Sequence, residues 1–123
     1  MTELADPQSV ADALAAVDAG ERPERTVLRA AVRSLLSALS AKAPGRAVEV
    51  RVPPYGAVQC GEGPRHTRGT PPNVIETDPV TWLRLASGRL SWEEAMAAAL
   101  VSANGSRADL SALLPLFGQG TDA

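Results

Sequence analysis

The apolar positions of this chain change period along its length, and each period points to an element. Val10, Leu14 and Val17 recur at helical spacing behind Asp6-Pro7, a cap followed by a first-turn proline, and ahead of Gly20, which closes the helix. A longer stripe of Leu28, Val32, Leu35 and Leu39, widened by Leu36, predicts a second helix from about Pro23 to Lys42, and Ala43-Pro44-Gly45 stops it. The period then falls to two. Val48, Val50 and Val52 alternate with Glu49 and Arg51, the pattern of a half-buried strand ended by Pro53-Pro54. Tyr55 to Cys60 returns as a second strand with Val58 and Cys60 on one face, and Asn73 to Thr77 gives a short third strand around Val74 and Ile75.

Helical signals resume at Asp78. It caps a helix with Pro79 at the first position and Gly88 past the end, where a left-handed backbone is expected. Ser91 opens the next helix, with Glu94 three residues later as a capping box. Val101 to Ala103 adds a short strand. A last helix is expected from about Arg107 to Leu114, capped by Ser106, with Asp109 near its first turn, Leu110, Leu113 and Leu114 facing inward, and Pro115 limiting its length. The order is helix, long helix, three strands, two helices, strand, helix. That is an α+β fold, a small, mostly antiparallel sheet covered by helices. The 123 residues fit a single domain over 1–123, with 1–5 and 118–123 as frayed ends. Such a chain buries roughly two thirds of its unfolded surface, enough for a core and one ligand cavity.

The spacing of Asp78, Trp82, Leu85, Gly88, Leu90, Ala95 and Gly105 resembles the C-terminal half of the sterol carrier protein 2 family. The resemblance is close over residues 78–105 and rests elsewhere on the order of elements. The chain departs from the family pattern near the end of the second of these helices, where the usual glycine is replaced by Ala99 followed by Leu100. The resemblance implies a sterol-carrier-type fold. It also implies non-enzymatic binding or transfer of a lipid or other apolar ligand of the sterol, fatty acid or acyl-CoA class. The alternative it leaves is an accessory domain without a ligand tunnel, related to the sterol-carrier-like module of thiol-dependent isomerases in actinobacteria.

Composition narrows the classes. A net charge of −2 argues against wholesale nucleic-acid binding, which favours a basic domain. Cys60 is the only cysteine, so there is no intrachain disulfide and no thiolate set for zinc, which suits a reducing cytoplasm. The start of the chain lacks the basic-then-apolar pattern of a secretory signal, and no apolar run approaches the ~18 residues of a membrane span. Eleven of the twelve basic residues are arginine, and alanine is abundant, a coding bias of high-GC bacteria such as actinobacteria. No cofactor is indicated. The expected partner is an apolar or amphipathic small molecule, with a homodimer left open.

The candidate apolar wall comprises Trp82, Leu85, Leu90, Met96, Leu110, Leu113, Leu114 and Phe117, set against Val48, Val50 and Val52. A lined tunnel and a filled core need the same side chains, so a cavity of a few hundred Å³ decides between carrier and accessory domain. The segment from Gly61 to Asn73 holds Arg65, His66 and Arg68, whose donors suit the carboxylate or phosphate of a ligand head group; the same composition also suits an exposed loop with tight turns. His66, the only histidine, has no nucleophile paired with it in the sequence, and nothing brings Cys60 to it, so no catalytic residue is assigned. No metal-ligand spacing is present. Trp82 and Trp92 either flank a pocket mouth or fill the core. Arg22, Arg25, Arg29 and Arg33 share one side of the second helix. They form either a solvated face with Glu21 and Glu24 or a stripe facing a phosphate, an acidic partner or an anionic lipid surface.

Overall fold

The computed structural model describes residues 4–63 and 73–117. Its elements are α1 (Pro7–Asp18), α2 (Arg25–Lys42), β1 (Val48–Val52), β2 (Gly56–Cys60), β3 (Val74–Thr77), α3 (Pro79–Ser87), α4 (Trp92–Ala97) and β4 (Val101–Asn104). This is the α+β arrangement expected, with a mostly antiparallel four-stranded sheet.

Two helices start by the same device. The Asp6 carboxylate accepts the Ser9 N–H at 3.0 Å and the Ser9 hydroxyl at 2.9 Å; Asp78 does the same for Thr81 at 2.9 and 2.7 Å. Each cap satisfies donors that the first turn leaves open, a contribution of about 1 kcal/mol. The Asp6 N–H also donates to the hydroxyl of Ser34 on α2 at 3.0 Å, which joins the two helices and satisfies a buried side chain. The capping box of α4 is present in both directions, Ser91 to Glu94 and back, each bond 3.0 Å.

The sheet runs in the order β2-β1-β3-β4. β1 is antiparallel to β2, with Val50 opposite Val58, and parallel to β3, with Val50 opposite Ile75; β3 is antiparallel to β4, with Ile75 opposite Ala103. Val48, Val50, Val52, Cys60, Ile75 and Val101 are buried, whereas Glu49, Arg51, Gln59 and Glu76 alternate onto the more open face, where Arg51 pairs with Glu49 at 2.6 Å. The helices supply the rest of the core, with Leu28, Val32, Leu35 and Leu39 of α2 and Trp82, Leu83 and Leu85 of α3 all at or below 1% exposure. Helix α2 packs on α1, β2 and α3. The helix ends at Lys42 with Ala43 as its cap, and beyond it Gly45, with φ of 140° and a tight approach to the Gly61 carbonyl, leaves no room for a Cβ.

Two expectations are corrected. Arg22 precedes α2, which starts at Arg25, so the arginine row on that helix has three members and not four. The final helix from Arg107 to Leu114 does not form: residues 105–117 are a chain of turns. The Arg107 N–H goes to Asn73 Oδ1 at 2.9 Å, and the Asp109 N–H, which a Ser106 cap would accept, goes instead to the Arg107 carbonyl at 2.9 Å. The Asp109 carboxylate folds back onto the Ser111 N–H at 2.8 Å, which holds its pKa below the usual range, and the N–H groups of Leu113 and Leu114 both go to the Leu110 carbonyl. One local side-chain acceptor, Asp109, and one distant one, Asn73, hold the segment as turns in place of a helix. The result is a strap. It is tied down by Leu116 N–H to Ala86 O at 2.8 Å and by Lys42 Nζ to the carbonyls of Leu113 (2.8 Å) and Pro115 (3.4 Å).

Gly88 is left-handed, with φ 82°, as its place after α3 requires. Ala99 occupies the corresponding position after α4 and also has positive φ, 57°. The Leu100 N–H bonds the Ala95 carbonyl and the Ala99 N–H that of Met96, the hydrogen-bond pair of a helix ending built for glycine. An L-residue there costs about 1–2 kcal/mol, partly offset because glycine has more freedom to lose from the unfolded chain. Ala99→Gly is expected to stabilise the protein by about 0.5–1 kcal/mol, read as a higher urea midpoint at unchanged slope. An unchanged or lower midpoint would remove the strain argument.

A candidate apolar-ligand groove

The end of α3, the turn into α4 and the strap enclose an open groove of about 540 Å³. Its apolar walls are Leu85 and Leu90 on one side, Trp92 from the first residue of α4, and Leu114, Pro115, Leu116 and Phe117 from the strap. Gly88 sits at the corner, where its left-handed turn lets α3 give way to α4. Ser91, Glu93 and Ser111 line it as polar residues. The Ser91 oxygen already accepts the Glu94 N–H, so its own proton is the part free to reach a ligand; that capping box also holds the Glu94 carboxyl below its usual pKa range. The corner is braced from α1, since Asp18 accepts two bonds from Arg89, at 2.6 and 2.7 Å, and these depress the Asp18 pKa. The brace is therefore complete above the usual carboxylate range and is lost as pH falls through the depressed value.

Of the apolar wall read from the sequence, Leu85, Leu114 and Phe117 line the groove, as do Leu90 and Trp92. Trp82 does not: it is fully buried, the largest such side chain among the described residues, and it fills the core. Leu110, 2% exposed, anchors the strap from beneath, and Leu113 is half-buried without reaching the groove. Met96 is placed on the outside, 40% exposed, because the six-residue α4 is buried only through Trp92 and Ala95. The expected cavity between helices and Val48, Val50 and Val52 is packed with side chains, with Val50 and Val52 at 0% exposure. Leu116, Ser91, Glu93 and Ser111 were not anticipated; the apolar run after Leu113, interrupted only by Pro115, was the available signal for Leu116.

Arg65, His66 and Arg68, the expected head-group residues, lie outside the described residues. Cys60 is buried on β2, and desolvation pushes its thiol above the ordinary value, so it behaves as a small packing residue. Among the described residues no three His, Cys, Asp or Glu side chains converge as a metal site, and no helix is long and apolar enough to cross a membrane.

A family model described as the bacterial SCP ortholog matches residues 24–116. The chain belongs to this family. The match takes in α2, the sheet and the groove walls apart from Phe117, and leaves α1 outside it. Membership of the bacterial SCP orthologs agrees with the sterol-carrier resemblance of residues 78–105 and gives the protein, at the coarse level, a lipid-binding or carrier role. No curated protein matches the chain.

Proposed function

We propose that this bacterial SCP ortholog is a non-enzymatic carrier that holds an apolar ligand of the lipid class in the groove between α3, α4 and the strap. The observation that carries the reading is the groove itself, about 540 Å³ and walled by Leu85, Leu90, Trp92, Leu114, Leu116 and Phe117, a size and lining suited to a small apolar molecule. Its polar residues refine the class. Glu93 opposes a carboxylate head, whereas the hydroxyls of Ser91 and Ser111 suit an uncharged hydroxyl, which favours a sterol or long-chain alcohol over a fatty-acid anion. The neutral, buried Cys60 supports a role without thiol chemistry, and its being the lone cysteine supports a cytoplasmic location.

The packed space between helices and sheet favours the second reading, an accessory domain without a tunnel. Titration with a fluorescent sterol that accepts emission from Trp92 separates the two. Saturable transfer with one ligand per chain, stronger for the sterol than for a fatty-acid analogue, is the expected result. Leu114→Trp should fill the groove and exclude two or three methylene-sized contacts, weakening binding roughly tenfold or more at ~0.8 kcal/mol each. If no sterol, alcohol or acyl probe binds at tens of micromolar protein, the carrier reading fails and the accessory domain replaces it.

A further inference from the structure

A second concave site lies at the other end of α2. Arg25, Arg29 and Arg33 stand one turn apart on that helix and face Pro54 and Tyr55 of the β1–β2 turn across a groove of about 490 Å³. Four residues of helix rise about 6 Å, so the three guanidinium groups are spread along roughly 12 Å of one wall. All three side chains are exposed, and among the described residues none has a carboxylate within 4 Å, whereas Arg51 and Arg89 are paired with Glu49 and Asp18. Like charges at this spacing repel, and the chain as a whole is acidic, so the row is not a by-product of general basicity. Two acids are near the row: Glu24, which accepts the Thr26 hydroxyl at 2.6 Å, and Asp6, which lines an adjoining hollow with Arg29 and Arg33 and whose carboxylate is occupied by the Ser9 N–H and hydroxyl.

We infer that this groove binds the phosphate group of a phosphate ester. Arginine presents a planar fork of donors that matches phosphate oxygens, and three forks in one row can engage one anionic group or two linked ones. Pro54 and Tyr55 supply the opposite wall, so the arginine row borders a concave site of a size for a small molecule. Arg33 and Lys42, where the strap is fastened, are nine residues apart on α2, roughly 14 Å, so this site and the apolar groove are separate and each can fail alone.

Calorimetric titration with inorganic pyrophosphate tests the site. One pyrophosphate per chain is expected, with affinity falling as salt rises. Arg29→Gln and Arg33→Gln should each weaken binding at least tenfold at an unchanged melting temperature, while Arg46→Gln, exposed and away from the groove, should leave it unaltered. In the unaltered protein, pyrophosphate should shift the ring resonances of Tyr55, the only tyrosine, which reads the site without any substitution. A parallel titration with a short-chain phosphatidate names the source: binding of both ligands points to a lipid head group, binding of pyrophosphate alone to a soluble phosphate ester. Absence of pyrophosphate binding at millimolar concentration, whatever phosphatidate does, an unmoved Tyr55, or an equal loss in Arg46→Gln overturns the inference.

Discussion

Val50→Asp is expected to leave no cooperatively folded protein. Val50 is 0% exposed at the middle of β1, with Val58 beside it on the antiparallel partner and Ile75 on the parallel one. A carboxylate there enters a site lined by Val, Ile and Leu with no donor arranged to meet it, and an unpaired buried charge costs several kcal/mol even after its pKa rises. A domain of this size has about 5–15 kcal/mol in total, so the substitution removes most or all of it. Arg51→Ala is the matched control. Its side chain points to the open face of the same strand, and its pairing with Glu49 is partly exposed, so the change should stay within about 0.5 kcal/mol. Circular dichroism melts of the two variants decide the matter. A wild-type melting curve for Val50→Asp would mean that β1 is not the buried centre of the sheet.

The second large effect belongs to Trp82. Its side chain is fully buried on α3, and its Nε1 has no hydrogen-bond partner among the described residues. Trp82→Ala should cost about 3–5 kcal/mol through lost burial and the cavity left behind. Trp82→Phe separates two contributions. It leaves a smaller void but also removes an unsatisfied N–H whose burial costs about 1–3 kcal/mol, so the net loss should be small. Denaturant midpoints for the pair should therefore be far apart, with Phe close to the parent. If Phe costs as much as Ala, the indole N–H is satisfied in solution and the void is the lesser term.

Local signals carried most of the fold. The Asp-Pro caps at Asp6 and Asp78, the capping box at Ser91 and the glycine after α3 are each complete within a few residues, so their outcome is written in sequence order. The strap was not legible for the opposite reason. Leu110, Leu113 and Leu114 have helical spacing, but the Asp109 N–H turns back to the Arg107 carbonyl, and Arg107 itself is held by Asn73 from far away in the chain. The groove suffers from the same limit. Trp82 and Trp92 look equivalent in composition, yet one is the centre of the core and the other a groove wall, because the Gly88 turn redirects the chain between them. The parallel pairing of β1 with β3 was likewise out of reach, since it joins strands that are not consecutive, with β2 between them in the chain.

The strap also bears on how the protein is handled. Phe117 is part of the groove wall, with residues 118–123 following it in the sequence. A purification tag or fused domain joined a few residues behind Phe117 is tethered near the groove, where a short flexible link gives an effective concentration in the millimolar range. An apolar or aromatic tag would then compete with any weak ligand by proximity alone, and a ligand screen on such a fusion would report false negatives. Cleaving the tag, or moving it to the α1 end, restores a fair comparison.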